Sequence, residues 1–342
     1  MRHVIALDVG DSGMTAALVA PDGAALHEER RSLVRGLGPD GVVESVLRFA
    51  EDLRAHGLER FGTAAEAAGV AVPGPRSAEP SGPAGHSADL VRSDVPMRKR
   101  LRDGLGGMPV AVASRVRAAG LAEGRLGAGR GAGRFLLVTL GTTVDGVIGL
   151  DDGIETGAQG HAGRIGHVVV RPGGPPCGCG RRGCLEAVVS TVAVGRAWSE
   201  VSGVSGVSGV SGVSGVSGAV DSADCARAAA AGDEAASRVW RAAIDALADG
   251  LIAAHTVLDL RTLIVGGGLS EVGETLLTPL RAAVDARLTF QRRPTVVPAA
   301  LGDSAACRGA GLLARDLLIR AAAPRRPTSG AAEACRPPDR GA

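Results

Sequence analysis

The 342-residue sequence has no tyrosine, a single lysine (Lys99) and only 2% aromatic residues. Stacking of bases on aromatic side chains is a common way for proteins to hold single-stranded nucleic acids, and this chain has few residues for it. Its 38 basic and 36 acidic residues leave a net charge of only +2. A strongly basic nucleic-acid binder is therefore not indicated, and we expect no direct contact with nucleic acid.

Long apolar runs are also missing. The apolar residues 4–7 are too few for a signal peptide and meet Asp8 at once. No segment approaches the ~20 consecutive apolar residues that cross a bilayer. The sequence therefore predicts a cytoplasmic protein without a membrane segment.

Two segments are expected to lie outside the packed fold. Residues 201–218 are six tandem copies of Val-Ser-Gly, which have neither helical nor strand amphipathicity and resemble a Gly/Ser linker. The tail 323–342 is rich in Pro and Arg and is predicted to be disordered.

The hydrophobic pattern of the remaining chain predicts alternating strands and helices, which is typical of an α/β fold. Predicted strands cover residues 3–9, 15–20, 70–72, 110–112, 135–140, 144–150 and 263–265. Predicted helices cover residues 40–57, 97–105, 116–127, 233–256, 271–288 and 303–322. A polar loop rich in Pro, Gly and Ser is expected over residues 76–96.

Three of the six cysteines are crowded together. Cys177, Cys179 and Cys184 follow His167 in the pattern H-x9-C-x-C-x4-C, with glycines between them. Zinc prefers four tetrahedral nitrogen and sulfur ligands, and closed Cys₃His sites are structural. The pattern therefore predicts a structural zinc site. A chance cluster of cysteines is the alternative.

The residues around this cluster resemble a known family. Gly157-Ala-Gln-Gly-His-Ala-Gly-Arg-Ile-Gly-His167 and Pro175-Pro-Cys-Gly-Cys-Gly-Arg-Arg-Gly-Cys-Leu-Glu186 are similar to the signature of the ROK family of repressors, open reading frames and sugar kinases. The resemblance implies the two-lobed, actin-like ATPase (ribonuclease H-like) fold of sugar kinases, with an interlobe cleft. It divides the chain into a first α/β lobe (1–113, completed by helix 303–322), a larger lobe (114–302, with the zinc loop 160–186 and the repeat) and the tail.

The same resemblance assigns ligand-binding positions. The nucleotide would meet Asp8, Gly10 and Ser12 in a first phosphate loop, Gly141 and Thr142 in a second, and Gly266, Gly267 and Gly268 beside adenosine. The sugar would meet Gly74, Asp89, Ser114, Arg164, His167 and Glu186.

Several of these positions depart from the family pattern. The family's catalytic Asp, in Asn-Asp-x-Asn, is replaced by Arg115, and a guanidinium cannot act as a base. The family's Glu in Glu-x-Gly-His is replaced by Arg164, which can only donate hydrogen bonds. Asp11 and Asp145 stand where phosphate loops usually have glycine, and their charge opposes a triphosphate. The sequence therefore gives weak support to Mg-ATP binding.

Three functions follow from this pattern. The leading hypothesis is a catalytically impaired kinase homologue, a pseudokinase, which binds a sugar-like or anionic small ligand such as a sugar phosphate. The main alternative is an active, glucokinase-like hexose or N-acetylhexosamine kinase with a substitute base, for which Asp89 is the nearest spare carboxylate. A transcriptional regulator would need a helix-turn-helix ahead of the first strand, where we expect none. The resemblance also implies a homodimer.

Overall fold

The structure is a computed structural model that describes residues 1–10, 13–33, 38–74, 97–150, 153–202 and 222–322. Within these ranges the chain forms ten strands and nine α-helices. The strands make two five-stranded sheets, so the predicted α/β class is confirmed. The predicted loop 76–96 and tail 323–342, and all but the first two residues of the repeat, lie outside the described residues.

The first sheet has the strand order β3-β2-β1-β4-β5. Its strands are β1 (Val4–Val9), β2 (Gly13–Val19), β3 (Ala25–Ser32), β4 (Ala68–Val72) and β5 (Val110–Ser114). The first three form an antiparallel meander, and β4 and β5 continue the sheet parallel to β1. Every residue of β1 and β4 is buried, as expected for central strands covered on both faces.

The second sheet repeats this plan in the order β10-β9-β6-β7-β8. Its strands are β6 (Phe135–Leu140), β7 (Val144–Leu150), β8 (Gly153–Glu155), β9 (Thr262–Gly266) and β10 (Thr295–Pro298). Again three strands are antiparallel and two are parallel to the first. The β1–β2 and β6–β7 turns, which contain the two predicted phosphate loops, therefore occupy equivalent places in the two sheets.

Helices cover both sheets and join them. They are α1 (Gly38–Phe61), α2 (Met97–Gly104), α3 (Arg115–Leu126), α4 (Leu185–Val189), α5 (Thr191–Ser202), α6 (Ser222–Ala230), α7 (Glu234–Leu258), α8 (Glu274–Asp285) and α9 (Ala305–Ala322). The last helix, α9, packs against β1 and β4 of the first sheet, and α3 contacts both α9 and β7. A Cβ on Gly309 would lie 1.8 Å from the Ala118 carbonyl oxygen, so glycine permits the close approach of α9 to α3.

A buried carboxylate fixes the end of α3. Glu123 is completely buried and accepts hydrogen bonds from the backbone N–H groups of Ala128 (2.8 Å), Ala300 (3.2 Å) and Leu301 (2.8 Å). The last two belong to the connection between β10 and α9. Glu123 therefore joins segments that are far apart in the sequence.

Some elements differ from the sequence prediction. β3, β8, β10, α4, α5 and α6 were not expected from the sequence. β8, β10 and α4 are short, α6 is rich in alanine, and β3 carries four consecutive charged residues, Glu28 to Arg31. The predicted helix 271–288 is wrong at its start: a 3-10 turn, Gly268–Val272, ends at Gly273, and α8 follows. Gly273 has φ +61°, which interrupts a continuous helix. α5 also extends two residues into the predicted linker. None of the described helices is long and apolar enough to cross a bilayer.

Candidate functional site

Predicted site residues collect at one edge of the first sheet. Asp8 lies near the end of β1, Gly74 follows β4 by two residues, and Ser114 ends β5. Because these strands are parallel, their carboxyl ends meet at the same edge, where α/β proteins commonly bind ligands. The predicted residues Ser12 and Asp89 lie outside the described part of the chain.

Arg115, at the position of the family's base, is the first residue of α3 and forms an ion pair with Asp8. Its Nε lies 2.6 Å from Asp8 Oδ1 and its Nη2 lies 2.9 Å from Oδ2. The Asp8 side chain is only 5% exposed, whereas that of Arg115 is 44% exposed. The guanidinium also lies beside the first phosphate turn, since a Cβ on Gly10 would be 3.9 Å from Arg115 Cζ. Both oxygens of the Asp8 carboxylate are therefore engaged in a bidentate pair.

The two nucleotide segments predicted on the second sheet are in contact. Gly267 has φ +86°, and a Cβ there would lie 2.5 Å from the carbonyl oxygen of Leu140, so a side chain is excluded. The contact holds the segment Gly266 to Gly268 against the start of the second phosphate turn, in which Gly141 N–H donates to Thr143 O at 3.1 Å. The arrangement is compatible with a nucleotide-binding role, which stays a prediction for these glycines and for Thr142.

A loop that contains Arg164 is seated on β7 through two glycines. A Cβ on Gly146 would lie 2.8 Å from Gly163 O, and a Cβ on Gly163, which has φ +88°, would lie 2.8 Å from Gly146 O. The same loop is held by Arg117, whose Nη2 donates to Gly160 O. These contacts bring Arg164 close to Asp145 of β7 and to the first turn of α3.

Near Asp145, one carboxylate faces two arginines, Arg164 and Arg117. Burial raises the pKa of the Asp145 carboxyl, and Arg164, the Gly146 N–H at 2.9 Å, His167 and Arg117 partly oppose that rise. Burial lowers the pKa of Arg117, an effect that Asp145 opposes and Arg164 reinforces. Two arginines thus share the field of one carboxylate. The sequence did not single out Arg117 as a site residue, although it stands two residues after Arg115.

The side chain of Arg164 has no partner within the described residues, where it makes neither a hydrogen bond nor an ion pair. Its Nε is buried and unsatisfied. Asp145 affects it only through longer-range electrostatics. An arginine nitrogen that is shielded from water and unpaired is uncommon in folded proteins.

The predicted grouping of His167, Cys177, Cys179 and Cys184 is confirmed, since their ligand atoms lie within 4.8 Å of one another. Cys177 Sγ is 3.7 Å from His167 Nδ1, and Cys179 Sγ is 3.6 Å from Cys184 Sγ. Tetrahedral zinc, with Zn–S of about 2.3 Å and Zn–N of about 2.0–2.1 Å, requires ligand separations of about 3.6–3.8 Å. The donor set and its spacing fit zinc.

Tight turns between the ligands create this geometry. Gly183 has φ +71°, and a Cβ there would lie 1.6 Å from Arg171 O, so only glycine fits. The N–H of Arg181 lowers the pKa of the Cys179 thiol to about 7, whereas burial raises the pKa of Cys184 to about 12. Metal binding would require both thiols as thiolates.

Glu186 connects the cysteine cluster to the second phosphate turn. Its Oε2 accepts a hydrogen bond from Val144 N at 3.0 Å, and its Oε1 lies 3.9 Å from Cys177 Sγ. In addition, Thr191 N donates to Gly141 O at 2.9 Å. The cluster is therefore continuous with the site, and the roles predicted for Glu186 and His167 toward a sugar stay predictions.

The sequence model of the ROK family matches residues 4–317. The chain belongs to the ROK family. It is 31% identical over 289 residues to a glucokinase from Thermotoga maritima, covering 82% of this chain and 86% of the relative. This ROK family member is thus a homologue of sugar kinases.

Solved structures agree with the fold implied by the resemblance. A ROK hexokinase from Thermus thermophilus has a TM-score of 0.77 at 28% identity, covering 93% of this chain and 99% of that one. A ROK family glucokinase from Streptomyces griseus, solved in complex with glucose and AMPPNP, has a TM-score of 0.71 at 26% identity, covering 92% and 99%. The predicted actin-like fold of sugar kinases is confirmed for this ROK family member.

Proposed function

We propose that this ROK family member is a catalytically impaired sugar-kinase homologue that binds a sugar-like ligand at the edge of its first sheet. The observation that carries the proposal is the bidentate pair between Arg115 and Asp8. Its relatives include a glucokinase solved with glucose and an ATP analogue, which supports a small-molecule site in the corresponding region.

The first argument concerns the proton of the attacking hydroxyl. Phosphoryl transfer to a sugar is assisted by a positioned base that accepts this proton. Arg115 stands at the position of that base in the family pattern, and a guanidinium stays protonated at any working pH. Loss of a general base typically slows such a reaction by about 10²- to 10⁴-fold.

The second argument concerns Asp8, whose counterpart in the family resemblance lies near magnesium and the phosphates. Here both carboxylate oxygens are taken by Arg115, and the carboxylate is almost completely buried. Removing the partner of a buried charge is unfavourable. In this arrangement Asp8 does not fit the role of a magnesium ligand.

The cysteine cluster has a different role in this proposal. His167, Cys177, Cys179 and Cys184 would hold zinc in a closed site, and bound zinc would supply structural cross-linking rather than chemistry. The cluster lies on the same loop as Arg164 and contacts Glu186. Zinc would therefore stabilise the loop that presents these two side chains.

An active ATP-dependent hexose or N-acetylhexosamine kinase is the second candidate, and the glucokinase relative favours it. It requires another carboxylate to replace the base, and Asp89 is the residue predicted for that role. A homodimer and the absence of nucleic-acid binding also stay predictions.

The deciding experiment is a phosphoryl-transfer assay on the zinc-loaded, full-length protein with Mg-ATP and a panel of hexoses and N-acetylhexosamines. We expect no turnover above the background of ATP hydrolysis. A hexokinase run in parallel shows that the assay detects each product. Sugar-dependent turnover by the unmodified protein would contradict the proposal and favour the active kinase.

A further inference from the structure

We infer that the ligand of this site carries an acidic group and that Arg164 binds it. The inference rests on the proposed function, because it names the class of ligand held at the same site. It is carried by an arginine whose side chain has a buried, unsatisfied Nε and no hydrogen-bond or ion-pair partner in the described part of the chain.

Loose packing of its loop does not explain why the Arg164 side chain lacks a partner within the described residues. Its loop is not loosely placed: Gly163 packs on Gly146, and Arg117 bonds the loop at Gly160. A well-anchored loop could pair the arginine with Asp145 nearby, yet the two form no ion pair in the structure. Buried donors in folded proteins are almost always satisfied, by protein, water or ligand. A ligand that accepts from Arg164 would complete the site.

The surrounding charges favour an anion. Arg115 is already matched by Asp8, whereas Arg117 donates to a neutral carbonyl and keeps its charge uncompensated. Asp145 is the carboxylate in the field of Arg117 and Arg164. One carboxylate against two arginines leaves an excess positive charge beside the ligand.

The N-terminus of α3 adds to this positive charge. Ser114 is its N-cap residue, and the side chain makes no capping hydrogen bond. The first N–H groups of a helix carry partial positive charge and favour anions. Arg115 and Arg117 belong to this first turn, so the helix terminus and the arginine side chains act in the same direction.

The geometry of a guanidinium defines the ligand class. Its planar, forked donors suit the paired oxygens of a phosphate or a carboxylate, and a neutral hydroxyl would leave the charge uncompensated. In a sugar-kinase homologue the ligand is thus a sugar with an oxyanion, either a sugar phosphate or a sugar acid.

The test is isothermal titration calorimetry of the zinc-loaded, full-length protein in a buffer free of phosphate, carboxylate and sulfonate, such as Tris chloride, with three probes that share one ring. Glucose has a hydroxymethyl group at C6, glucose 6-phosphate has a phosphate there, and glucuronate has a carboxylate. We expect at least one acidic probe to bind tenfold or more tightly than glucose. Comparison of the two acidic probes distinguishes the phosphate from the carboxylate.

Two neutral variants of similar shape test the assignment. Arg164→Gln should weaken binding of the acidic probe at least tenfold, and Asp145→Asn should strengthen it several-fold by removing a repelling charge. Arg164→Lys, which keeps the charge but not the fork, should weaken binding less than Arg164→Gln. Unchanged zinc content and melting temperature show that each variant is folded.

The outcomes separate the two proposals. Preference for glucose, no binding of any probe, or acidic binding unaffected by Arg164→Gln would overturn the inference. Turnover of glucose in the phosphoryl-transfer assay would overturn the proposed function without deciding the preference for acids. Acidic binding that depends on Arg164, without turnover, supports both.

Discussion

The cysteine cluster and the edge of the first sheet differ in how closely they follow the family pattern, although one loop carries both Arg164 and His167. His167 and Arg164 are three residues apart: the first belongs to a group of four residues that could hold a metal ion, and the second stands where the family resemblance places an acidic residue. Four ligands converge at the cluster, whereas at the sheet edge Arg115 occupies the Asp8 carboxylate. The difference teaches that the groups that stabilise this fold are separable from those that would perform chemistry.

The two phosphate turns show the same contrast on a smaller scale. They occupy equivalent places in two sheets of the same plan. At the first turn, Arg115 lies beside Gly10, and at the second turn Gly267 approaches Leu140 with no side chain between them. The first turn therefore has a charged neighbour, whereas the second has a close glycine contact.

The largest expected effect is on the metal cluster. Cys184→Ser removes one of four ligands, and we expect loss of bound zinc and a fall in melting temperature of about 10 °C or more, since metal binding contributes to folding. Metal analysis and thermal unfolding measure both. Arg115→Gln is the control, because it should leave the zinc content unchanged. Loss of zinc from this variant would show that the cysteine cluster and the sheet edge are not independent of each other.

The next effect concerns the loop that joins the regions. Gly163→Ala combines a left-handed φ with a Cβ 2.8 Å from Gly146 O, and we expect a cost of roughly 2 kcal/mol or more in the free energy of unfolding. Gly173→Ala is the matched control, with φ +75° and nothing within 4 Å of the new Cβ. Chemical denaturation compares them. Equal losses would mean that the Gly163–Gly146 contact does not secure the loop.

A third change addresses the sheet edge directly. Arg115→Asp restores a carboxylate at the position of the base, whereas Arg115→Asn breaks the same pair with Asp8 without supplying a base. We expect sugar-dependent turnover with Mg-ATP to be about tenfold higher in Arg115→Asp than in Arg115→Asn. Equal turnover in the two variants would show that the missing base does not limit the reaction.

The smallest effect concerns Asp145. Because burial raises its pKa in the folded state, its ionised form reduces stability above that pKa, and the penalty disappears below the ordinary Asp pKa of about 3.9. Asp145→Asn should therefore raise the melting temperature by roughly 1–3 °C at pH 7 and by less at pH 4. Thermal unfolding at both pH values measures the difference. A lower melting temperature at pH 7 would mean that attraction to Arg164 and Arg117 exceeds the cost of burial.

Local sequence determined much of this protein. The glycines and cysteines of the cluster fix tight turns within a short segment, so its four ligands could be predicted from spacing alone. The central strands β1 and β6 were predicted because each is apolar apart from one residue, Asp8 or Thr139, which favours a buried strand. The edge strand β3 was missed because four consecutive charged residues, Glu28 to Arg31, leave it without an apolar pattern, and the short β10 carries too little pattern.

Only the tertiary structure decided which charged side chains of the site form ion pairs with each other. Asp8 and Arg115 are 107 residues apart, and they meet because β4 lies between β1 and β5 and aligns their carboxyl ends. Strand order thus supplied Asp8 as the partner of Arg115. The missing partner of Arg164 also depends on the packing of its loop on β7. Contacts between distant segments follow from the order of strands and the packing of loops, which no local pattern encodes.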